Sequence, residues 1–403
     1  MPLWVVSFII NLTISCKSLI RKIFLLLLII FLLKINKKPF LRALKLEEYS
    51  MYDIILSFIT AFTLTYFAIP SVINVARVKR LFDDPNERSS HTVSIPSLGG
   101  IAIFAGLIFS VIFWTPFNVF GNLQYILCSL VIMFLIGAKD DILPMRPSAK
   151  FAGQIFAALI MVYKADVVIT SFYGLFGIYE LADWFSVPFS VVVIVLVINA
   201  FNLIDGINGL AGTIGSIIAA TFGIWFFSVD RIEIALVCFA LLGAIVAFLK
   251  YNYTPAEIFM GDTGSLLVGL VSSMLAIKFM EVNGNLSVDS PYFINSVPAV
   301  TIGILIIPLY DTIRVFSTRI LRGRSPFYPD KTHIHHLLLD LGYSHSQGTA
   351  ILAVTNICFI LLALLLQDIG ILYLMIVVLG LATILSGFLF FAVKKKKAGL
   401  KKK

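Results

Sequence analysis

The sequence predicts an all-α protein, a polytopic membrane bundle of about eleven transmembrane helices whose C-terminus is cytoplasmic. Of its 403 residues, 59% are hydrophobic and 13% are charged, and the mean hydropathy is +0.99. Soluble domains are far less apolar than this. Composition alone therefore predicts a chain that crosses a membrane many times.

Apolar windows define the predicted helices, because roughly 18 to 22 apolar residues span the hydrocarbon core of a bilayer. The windows are 53–75, 97–117, 122–138, 149–165, 187–204, 210–228, 232–250, 263–280, 298–320, 347–366 and 370–392.

The distribution of lysine and arginine predicts the orientation. If Met51 lies outside, alternate loops and the C-terminal tail carry nearly all the cations, and such loops stay in the cytoplasm. These cations are Arg77, Lys79, Arg80, Arg88, Lys139, Arg146, Lys150, Arg322, Arg324, Lys331, Lys394–Lys397 and Lys401–Lys403. The net charge of +9 thus results mainly from topology, and it favours anionic lipid headgroups over nucleic acid as partners.

Residues 1–50 fit this topology poorly, since the apolar run 24–33 is short and the lysines after it would lie outside. Three interpretations stay open: an extension upstream of a start at Met51, an additional spanning or signal-like segment, and an interfacial amphipathic anchor. The predicted organisation is an N-terminal extension (1–50), a membrane domain (51–393) and a basic cytoplasmic tail (394–403).

The most polar stretch beside a predicted span is 199–211, NAFNLIDGINGLA. Three amides, an acid and two glycines are costly next to hydrocarbon, so they indicate a site where a charged ligand meets the membrane surface. This arrangement is typical of an enzyme that acts on membrane lipid.

Acidic residues recur at the inner ends of the predicted spans. Asp140 and Asp141 come after one apolar window, and Asp205 and Asp262 lie at the ends of two others. A solvated pair at 140–141 and an N-cap at Asp262 are the alternative interpretations. Carboxylates converging from separate helices suit Mg²⁺, with Mn²⁺ as the alternative, so Asp262, Asp140 and Asp141 are the predicted metal ligands.

Two inner loops combine cations with histidines. Residues 319–347 carry His333, His335 and His336 after Arg322, Arg324 and Lys331, and residues 81–100 carry Arg88 and His91. A zinc site is one interpretation of the histidines, but no cysteine is nearby, and binding of a diphosphate is favoured. His345 is expected in a solvated turn, and Gly99-Gly100 are expected to allow close backbone packing or ligand approach.

Five segments in order resemble the polyprenyl-phosphate N-acetylhexosamine-1-phosphate transferases, which include phospho-N-acetylmuramoyl-pentapeptide transferase. They are PSLGG (96–100), DD (140–141), NAFNLIDGINGLAG (199–212), NYTPAEIFMGDTGS (252–265) and PDKTHIHHLLLDLGYSHSQ (329–347). The resemblance implies an eleven-span enzyme of the bacterial inner membrane with its active site facing the cytoplasm. It also implies a UDP-N-acetyl sugar and undecaprenyl phosphate as partners. A homodimer is a further expectation.

The resemblance also implies roles for residues. It makes Asp262 a Mg²⁺ ligand, and it gives Asp140 and Asp141 either metal binding or the orientation and deprotonation of the lipid phosphate. The expected catalytic group is Asp140, Asp141, Asp205, His333, His335 and His336. The expected nucleotide-binding and neighbouring polar positions are Asn202, Asp205, Gly206, Asn208, Phe259, Asn252, Lys150 and Arg324. A phosphate monoester is largely a dianion at neutral pH, with its second pKa at about 6, so electrostatic roles are favoured over general-base catalysis; a covalent aspartyl-phosphate stays open.

One departure from the family pattern is Asn208, which stands where many members have a second aspartate in DGxDG. An amide still forms hydrogen bonds, but it supplies no charge to a metal. The HIHH form resembles the branch that uses UDP-N-acetylglucosamine and initiates cell-envelope polysaccharides. The alternatives are transfer from UDP-N-acetylmuramoyl-pentapeptide and, from another class, secondary transport of an anionic solute.

Overall fold

The computed structural model describes residues 37–81, 95–115, 121–323, 325 and 332–400. The chain divides into two compact units, residues 1–52 and 53–403. Every described helix after the first lies entirely in the second unit. The predicted site positions Arg88, His91, Arg324 and Lys331 lie outside the described residues.

Helices make up most of the described chain. They are α1 (Lys37–Lys79), α2 (Gly99–Trp114), α3 (Leu123–Ile142), α4 (Pro147–Lys164), α5 (Asp183–Ile204), α6 (Leu210–Ser228), α7 (Ile232–Asn252), α8 (Gly261–Gly284), α9 (Val297–Ile304), α10 (Ile306–Leu321), α11 (Ile334–Asp340), α12 (His345–Leu365) and α13 (Ile371–Leu400), with strands β1 (Ser171–Leu175) and β2 (Ile178–Glu180) between α4 and α5 and a 3₁₀ turn (Gln367–Ile369) before α13.

The prediction of a multi-pass helical membrane protein is confirmed. In the described part of the chain, seven helices are long and apolar enough to cross a bilayer, or eight if the pair α9 and α10 forms one span bent by 84°. Each of the eleven predicted windows overlaps a helix. The count of eleven spans is not confirmed, because α2 is a shorter apolar helix and α3 and α4 are not among the seven.

The all-α prediction was incomplete, because residues 171–180 form a short antiparallel hairpin. Its two-residue turn, Phe176-Gly177, has both residues at positive φ, which matches the twist of paired strands. The strands contain Phe172, Tyr173, Ile178 and Tyr179, which are residue types that favour strands. The hairpin lies between the apolar windows 149–165 and 187–204, and a search for helix-length apolar windows does not detect short strands.

Helix α8 is the most enclosed of the candidate spans, with 83% of its apolar window buried. It packs against α2, α3, α5 and α6. The close approach depends on glycine: a Cβ on Gly100 or Gly137 would overlap the α8 backbone at Gly264 or Thr263. Small residues let membrane helices approach closely, and here they bring the first turn of α8 against α2 and α3.

The PSLGG segment pairs with the chain just before α8. Gly99 and Gly100 donate from their amides to the carbonyls of Phe259 and Met260, both at 2.9 Å, and the Phe259 amide donates to Pro96 O at 2.8 Å. The expectation of close backbone packing at Gly99-Gly100 is confirmed. This segment therefore fixes the position at which α8 begins.

Gly100→Ala tests this packing. Its Cβ would overlap the Gly264 backbone, so α2 and α8 must separate, and overpacking of this kind destabilises by about 1–3 kcal/mol. We expect a lower thermal midpoint of the detergent-solubilised protein, measured by fluorescence size-exclusion after heating. Gly387→Ala in α13, where an added Cβ meets nothing within 4 Å, is the matched control and should leave the midpoint unchanged. Equal midpoints for both variants would contradict the packing argument.

Candidate active site

A lysine lies between two of the predicted acids. The Lys150 ammonium, in the first turn of α4, is 3.1 Å from Asp140 Oδ2 at the end of α3 and forms a second ion pair with Asp262 Oδ2 at the start of α8. All three side chains are between 15% and 24% exposed. Three helices thus bring two carboxylates and one cation together at a position that solvent reaches.

Asp262 also joins this group to the NLIDG segment. Its Oδ1 accepts a hydrogen bond of 2.5 Å from Asn202 Nδ2, near the end of α5, and the same amide nitrogen lies 3.0 Å from Ser265 Oγ. Two of the segments that carry the resemblance are therefore in direct contact through Asn202 and Asp262, and the roles expected for both residues stay predictions.

Asp141 has different contacts from its neighbour Asp140. Its carboxylate accepts hydrogen bonds from the Asp262 amide (2.7 Å), the Thr263 amide (2.9 Å) and the Thr263 hydroxyl (2.5 Å). It therefore satisfies free N–H groups at the N-terminus of α8, where a negative charge is favourable. The interpretation of Asp262 as an N-cap is wrong, because the N-cap residue of α8 is Met260 and Asp262 lies in the first turn. The capping carboxylate is that of Asp141 in α3.

Asp205 ends α5 as its C-cap residue. In the described part of the structure, its carboxylate accepts no hydrogen bond. Burial and, to a smaller extent, the nearby carboxylates of Asp262 and Asp141 raise the pKa of Asp205 to about 7. A cation bound nearby would favour the charged form.

The segment after Asp205 is held by the loop at the end of α7. Gly209, at φ +76°, donates from its amide to Asn252 Oδ1 at 2.8 Å, and Asn252 Nδ2 donates to Ile258 O at 2.8 Å. Asn252 is 3% exposed. Its amide thus links two loops, which is a structural contact; the binding role expected for it stays a prediction.

Asn208 also makes contacts between loops. Its side-chain Nδ2 donates to Thr254 Oγ1 at 3.2 Å, and its backbone carbonyl accepts from Thr349 Oγ1 at 2.8 Å. The expectation of a solvated His345 is wrong, because His345 is half-buried and its Nδ1 accepts from the Asn208 amide at 3.4 Å. Asn208 Oδ1 is buried without a hydrogen bond within the described residues.

The three histidines lie together at the start of α11. The rings of His333 and His335 are stacked with centroids 5.8 Å apart, and those of His335 and His336 are 4.3 Å apart. His335 packs against Gly206, where an added Cβ would overlap the imidazole. Burial, together with the nearby His336, lowers the pKa of His335 to about 3, so its ring is neutral at physiological pH and offers hydrogen bonds rather than charge.

Sequence reasoning missed Asp311. This residue, in α10, is 1% exposed, and its carboxylate contacts His333 Nδ1 at 2.9 Å and Arg314 Nη2 at 2.8 Å. The available signal was an ionisable residue inside an apolar run, which is costly unless it has a partner or a function.

Phe259 is half-buried, and its backbone lies in the pairing with Pro96 and Gly99. Its expected packing on a nucleotide base stays a prediction.

The structure thus groups Asp140, Lys150, Asn202 and Asp262 closely, places Asp205 and Gly206 beside them, and holds the histidines against the same loop.

Comparison with known proteins identifies the family of the chain. The model of glycosyl transferase family 4 matches residues 123–280, which contain Asp140, Lys150, Asp205 and Asp262. A decaprenyl-phosphate N-acetylglucosaminephosphotransferase of Mycobacterium tuberculosis is 31% identical over 319 residues, covering 73% of this chain and 78% of that protein. The chain belongs to this glycosyl transferase family.

Two further relatives have similar names. A probable undecaprenyl-phosphate N-acetylglucosaminyl 1-phosphate transferase of Bacillus subtilis is 28% identical over 79% of this chain and 86% of its own length. An undecaprenyl-phosphate α-N-acetylglucosaminyl 1-phosphate transferase of Yersinia pestis is 28% identical over 66% of this chain and 72% of its own length. The resemblance to polyprenyl-phosphate N-acetylhexosamine-1-phosphate transferases is therefore confirmed.

The donor set of this family member fits a hard cation in part. Among the described residues, no three His, Cys, Asp or Glu side chains form a metal-binding group, and Asp141 faces the α8 backbone instead. Asp140 and Asp262 do share one cation, the Lys150 ammonium. One or two carboxylates completed by water and substrate phosphate are a usual set for Mg²⁺, so these two fit.

Lys150→Gln tests whether a metal uses the same carboxylates. Without the ammonium, Asp140 and Asp262 repel each other, so we expect a lower thermal midpoint in EDTA and a larger rise on adding Mg²⁺ than in the unchanged protein. Lys139→Gln, which changes an exposed lysine next to Asp140, is the control and should respond to Mg²⁺ as the unchanged protein does. An equal Mg²⁺ response in all three proteins would contradict metal binding between these acids.

Proposed function

We propose that this protein transfers N-acetylglucosamine 1-phosphate from UDP-N-acetylglucosamine to undecaprenyl phosphate. The observation that carries the proposal is the contact of Asp262 with both Lys150 and Asn202, which joins the start of α8 to the start of α4 and the end of α5. The names of the relatives in three bacteria support the same donor sugar and a polyprenyl phosphate acceptor.

In the proposed reaction, an oxygen of the lipid phosphate attacks the sugar-linked phosphorus of the UDP-sugar. A new P–O bond forms, the bond between that phosphorus and the bridging oxygen breaks, and the electron pair leaves with UMP. The products are UMP and a polyprenyl diphosphate-linked sugar. The attacking phosphate is already largely a dianion, so no separate base is needed.

Catalysis of phosphoryl transfer depends mainly on position and on charge neutralisation. Lys150 supplies a fixed positive charge between Asp140 and Asp262. We propose Asp262 and Asp140 as the residues that hold Mg²⁺, or Mn²⁺, which would neutralise phosphate charge. Asp141 acts by holding the α8 N-terminus in place. Asp205 is the neighbouring carboxylate whose pKa is raised by burial and by the charges of Asp262 and Asp141.

The nucleotide is proposed to lie along the 205–209 segment. Phe259 would pack on the uracil, and Gly206 would allow close approach of the backbone. His336, half-buried beside His335, and Arg324 are proposed to contact the diphosphate, because a guanidinium donates in a planar fork.

The proposed topology has eleven spans in the bacterial inner membrane, with the C-terminus and the active site facing the cytoplasm. Its support is the clustering of lysine and arginine in alternate loops and in the tail, as the positive-inside rule requires. The proposed pathway is the initiation of a cell-envelope polysaccharide, and a homodimer remains a prediction.

Labelling of introduced cysteines tests this topology. Tyr179→Cys in the hairpin and Lys395→Cys at the end of α13 are both at exposed positions. In intact cells, an impermeant maleimide should label the hairpin cysteine only, and permeabilised cells should show both. Labelling of Lys395→Cys in intact cells would contradict the cytoplasmic C-terminus. Each variant should retain transferase activity as its folding control.

Neither alternative function gains support. The relatives from Mycobacterium, Bacillus and Yersinia are named as N-acetylglucosamine phosphotransferases, and none of the three is named as a muramoyl-pentapeptide transferase or a transporter. The carboxylates of Asp140, Asp205 and Asp262 lie at helix ends, whereas transporters place such groups near the middle of the membrane.

Membranes containing the protein test the activity directly. With Mg²⁺, polyprenyl phosphate and radiolabelled UDP-N-acetylglucosamine, label should enter the organic phase with an equal amount of UMP. Asp262→Asn should reduce turnover by at least about 100-fold while leaving folded protein in the membrane, because it removes charge and not packing. Asp183→Asn, an exposed acid at the other end of α5, is the matched control and should be fully active.

Two outcomes would overturn this proposal. Normal Mg²⁺-dependent turnover in Asp262→Asn would show that Asp262 does not hold the metal. Failure of the unchanged protein with UDP-N-acetylglucosamine, together with turnover of a muramoyl-pentapeptide or N-acetylgalactosamine nucleotide, would change the donor.

A further inference from the structure

The histidine segment lies on a buried charged group that belongs to α10. This helix begins after the 84° bend at the end of α9, and its buried residues include Asp311, Thr312 and Arg319. A carboxylate that is 1% exposed is costly to bury unless its oxygens are paired and hydrogen-bonded. The partners of Asp311 therefore show what it does.

Both oxygens of Asp311 are directed at the start of the HIHH motif. Oδ2 contacts His333 Nδ1 at 2.9 Å, and Oδ1 accepts from the Ile334 amide at 3.1 Å. Oδ1 also accepts from Arg314 Nη2 at 2.8 Å, and the same guanidinium nitrogen donates to Thr332 O at 2.6 Å. The ion pair thus holds the backbone on both sides of His333.

These contacts also specify the chemical state of His333. A carboxylate only accepts hydrogen bonds, so the ring nitrogen that faces it must carry the proton. With Nδ1 committed to Asp311, the only ring nitrogen left for another partner is Nε2. In metal sites, loss of the residue that fixes the tautomer and the ring orientation of a histidine typically costs about 10- to 100-fold in affinity or activity, and we expect an effect of the same order here.

We propose that Asp311, braced by Arg314, is a positioning residue that keeps the proton of His333 on Nδ1 and thereby presents Nε2 to the phosphate groups of the substrates. The proposal rests on the proposed transferase function. A packing role alone would be served equally well by apolar side chains in place of both Asp311 and Arg314, since replacement of a whole buried ion pair is often neutral or stabilising.

Asp311→Asn separates positioning from packing. Its amide oxygen can still accept from the Ile334 amide and from Arg314, while its NH₂ group now faces His333 and forces the ring to accept at Nδ1, which moves the proton to Nε2. We expect kcat to fall by about 10- to 100-fold with little change in the KM for UDP-N-acetylglucosamine. Asp340→Asn, an acid of α11 that is paired with Lys397 instead, is the matched control and should leave kcat unchanged.

A double variant tests whether Asp311 acts through His333. If it does, Asp311→Asn combined with His333→Gln should have the same kcat as His333→Gln alone. Multiplication of the two single losses would mean that Asp311 acts independently and would overturn the proposal. Full kcat in Asp311→Asn would overturn it as well.

A spectroscopic measurement keeps the proposal testable if Asp311→Asn does not fold. The chain has five histidines, so solid-state NMR of protein labelled with ¹⁵N-histidine, with His333→Gln for assignment, can identify the protonated nitrogen of His333. Protonation at Nδ1 is expected in the unchanged protein, and protonation at Nε2 alone would overturn the proposal. Absence of transferase activity in the unchanged protein would instead overturn the proposed function, while the NMR result would still decide the state of His333.

Discussion

The capping of α8 by Asp141 is the interaction on which the arrangement of the site depends. Its carboxylate binds the free amides of Asp262 and Thr263, so the end of α3 is tied to the start of the most buried candidate span. Consecutive helical residues point about 100° apart, and Asp140 is consequently directed elsewhere, toward Lys150. One pair of adjacent acids therefore supplies both the support of the site and part of its charge.

The polar groups of this region divide into supporting and accessible ones. Asn252 and Asp311 are almost completely buried. Asn252 bonds to loop backbone, and Asp311 bonds to His333, to the Ile334 amide and to Arg314. Asp140, Lys150 and Asp262 remain partly exposed. In an apolar protein, buried polar groups must be satisfied internally, so supporting contacts of this kind hold short loops such as 205–209 in one conformation without regular secondary structure.

Much of this arrangement could be predicted from patterns along the chain. Apolar windows predicted the positions of the helices, and five motifs predicted the family and the acids that meet at one end of the bundle. The hairpin at 171–180 and the bend between α9 and α10 were not predicted, because hydropathy reports the length of an apolar run and neither backbone turns nor a change in direction within it. Asp311 was missed for a related reason: a single acid in such a run shows no partner until the chain has folded.

The sequence by itself determined that this chain is a polytopic membrane protein of a phosphosugar transferase family, because composition, window length and motif order are properties of the chain alone. Only the tertiary structure decided which residue of each motif does what. It showed that Asp141 caps a helix while Asp140 faces Lys150, that Asn252 links two loops, and that His335 lies in a buried position that lowers its pKa. Such roles depend on burial and on partners that are distant along the chain. Asn202 and Asp141 contact residues 60 and 121 positions away, and helix packing, not local sequence, sets these contacts.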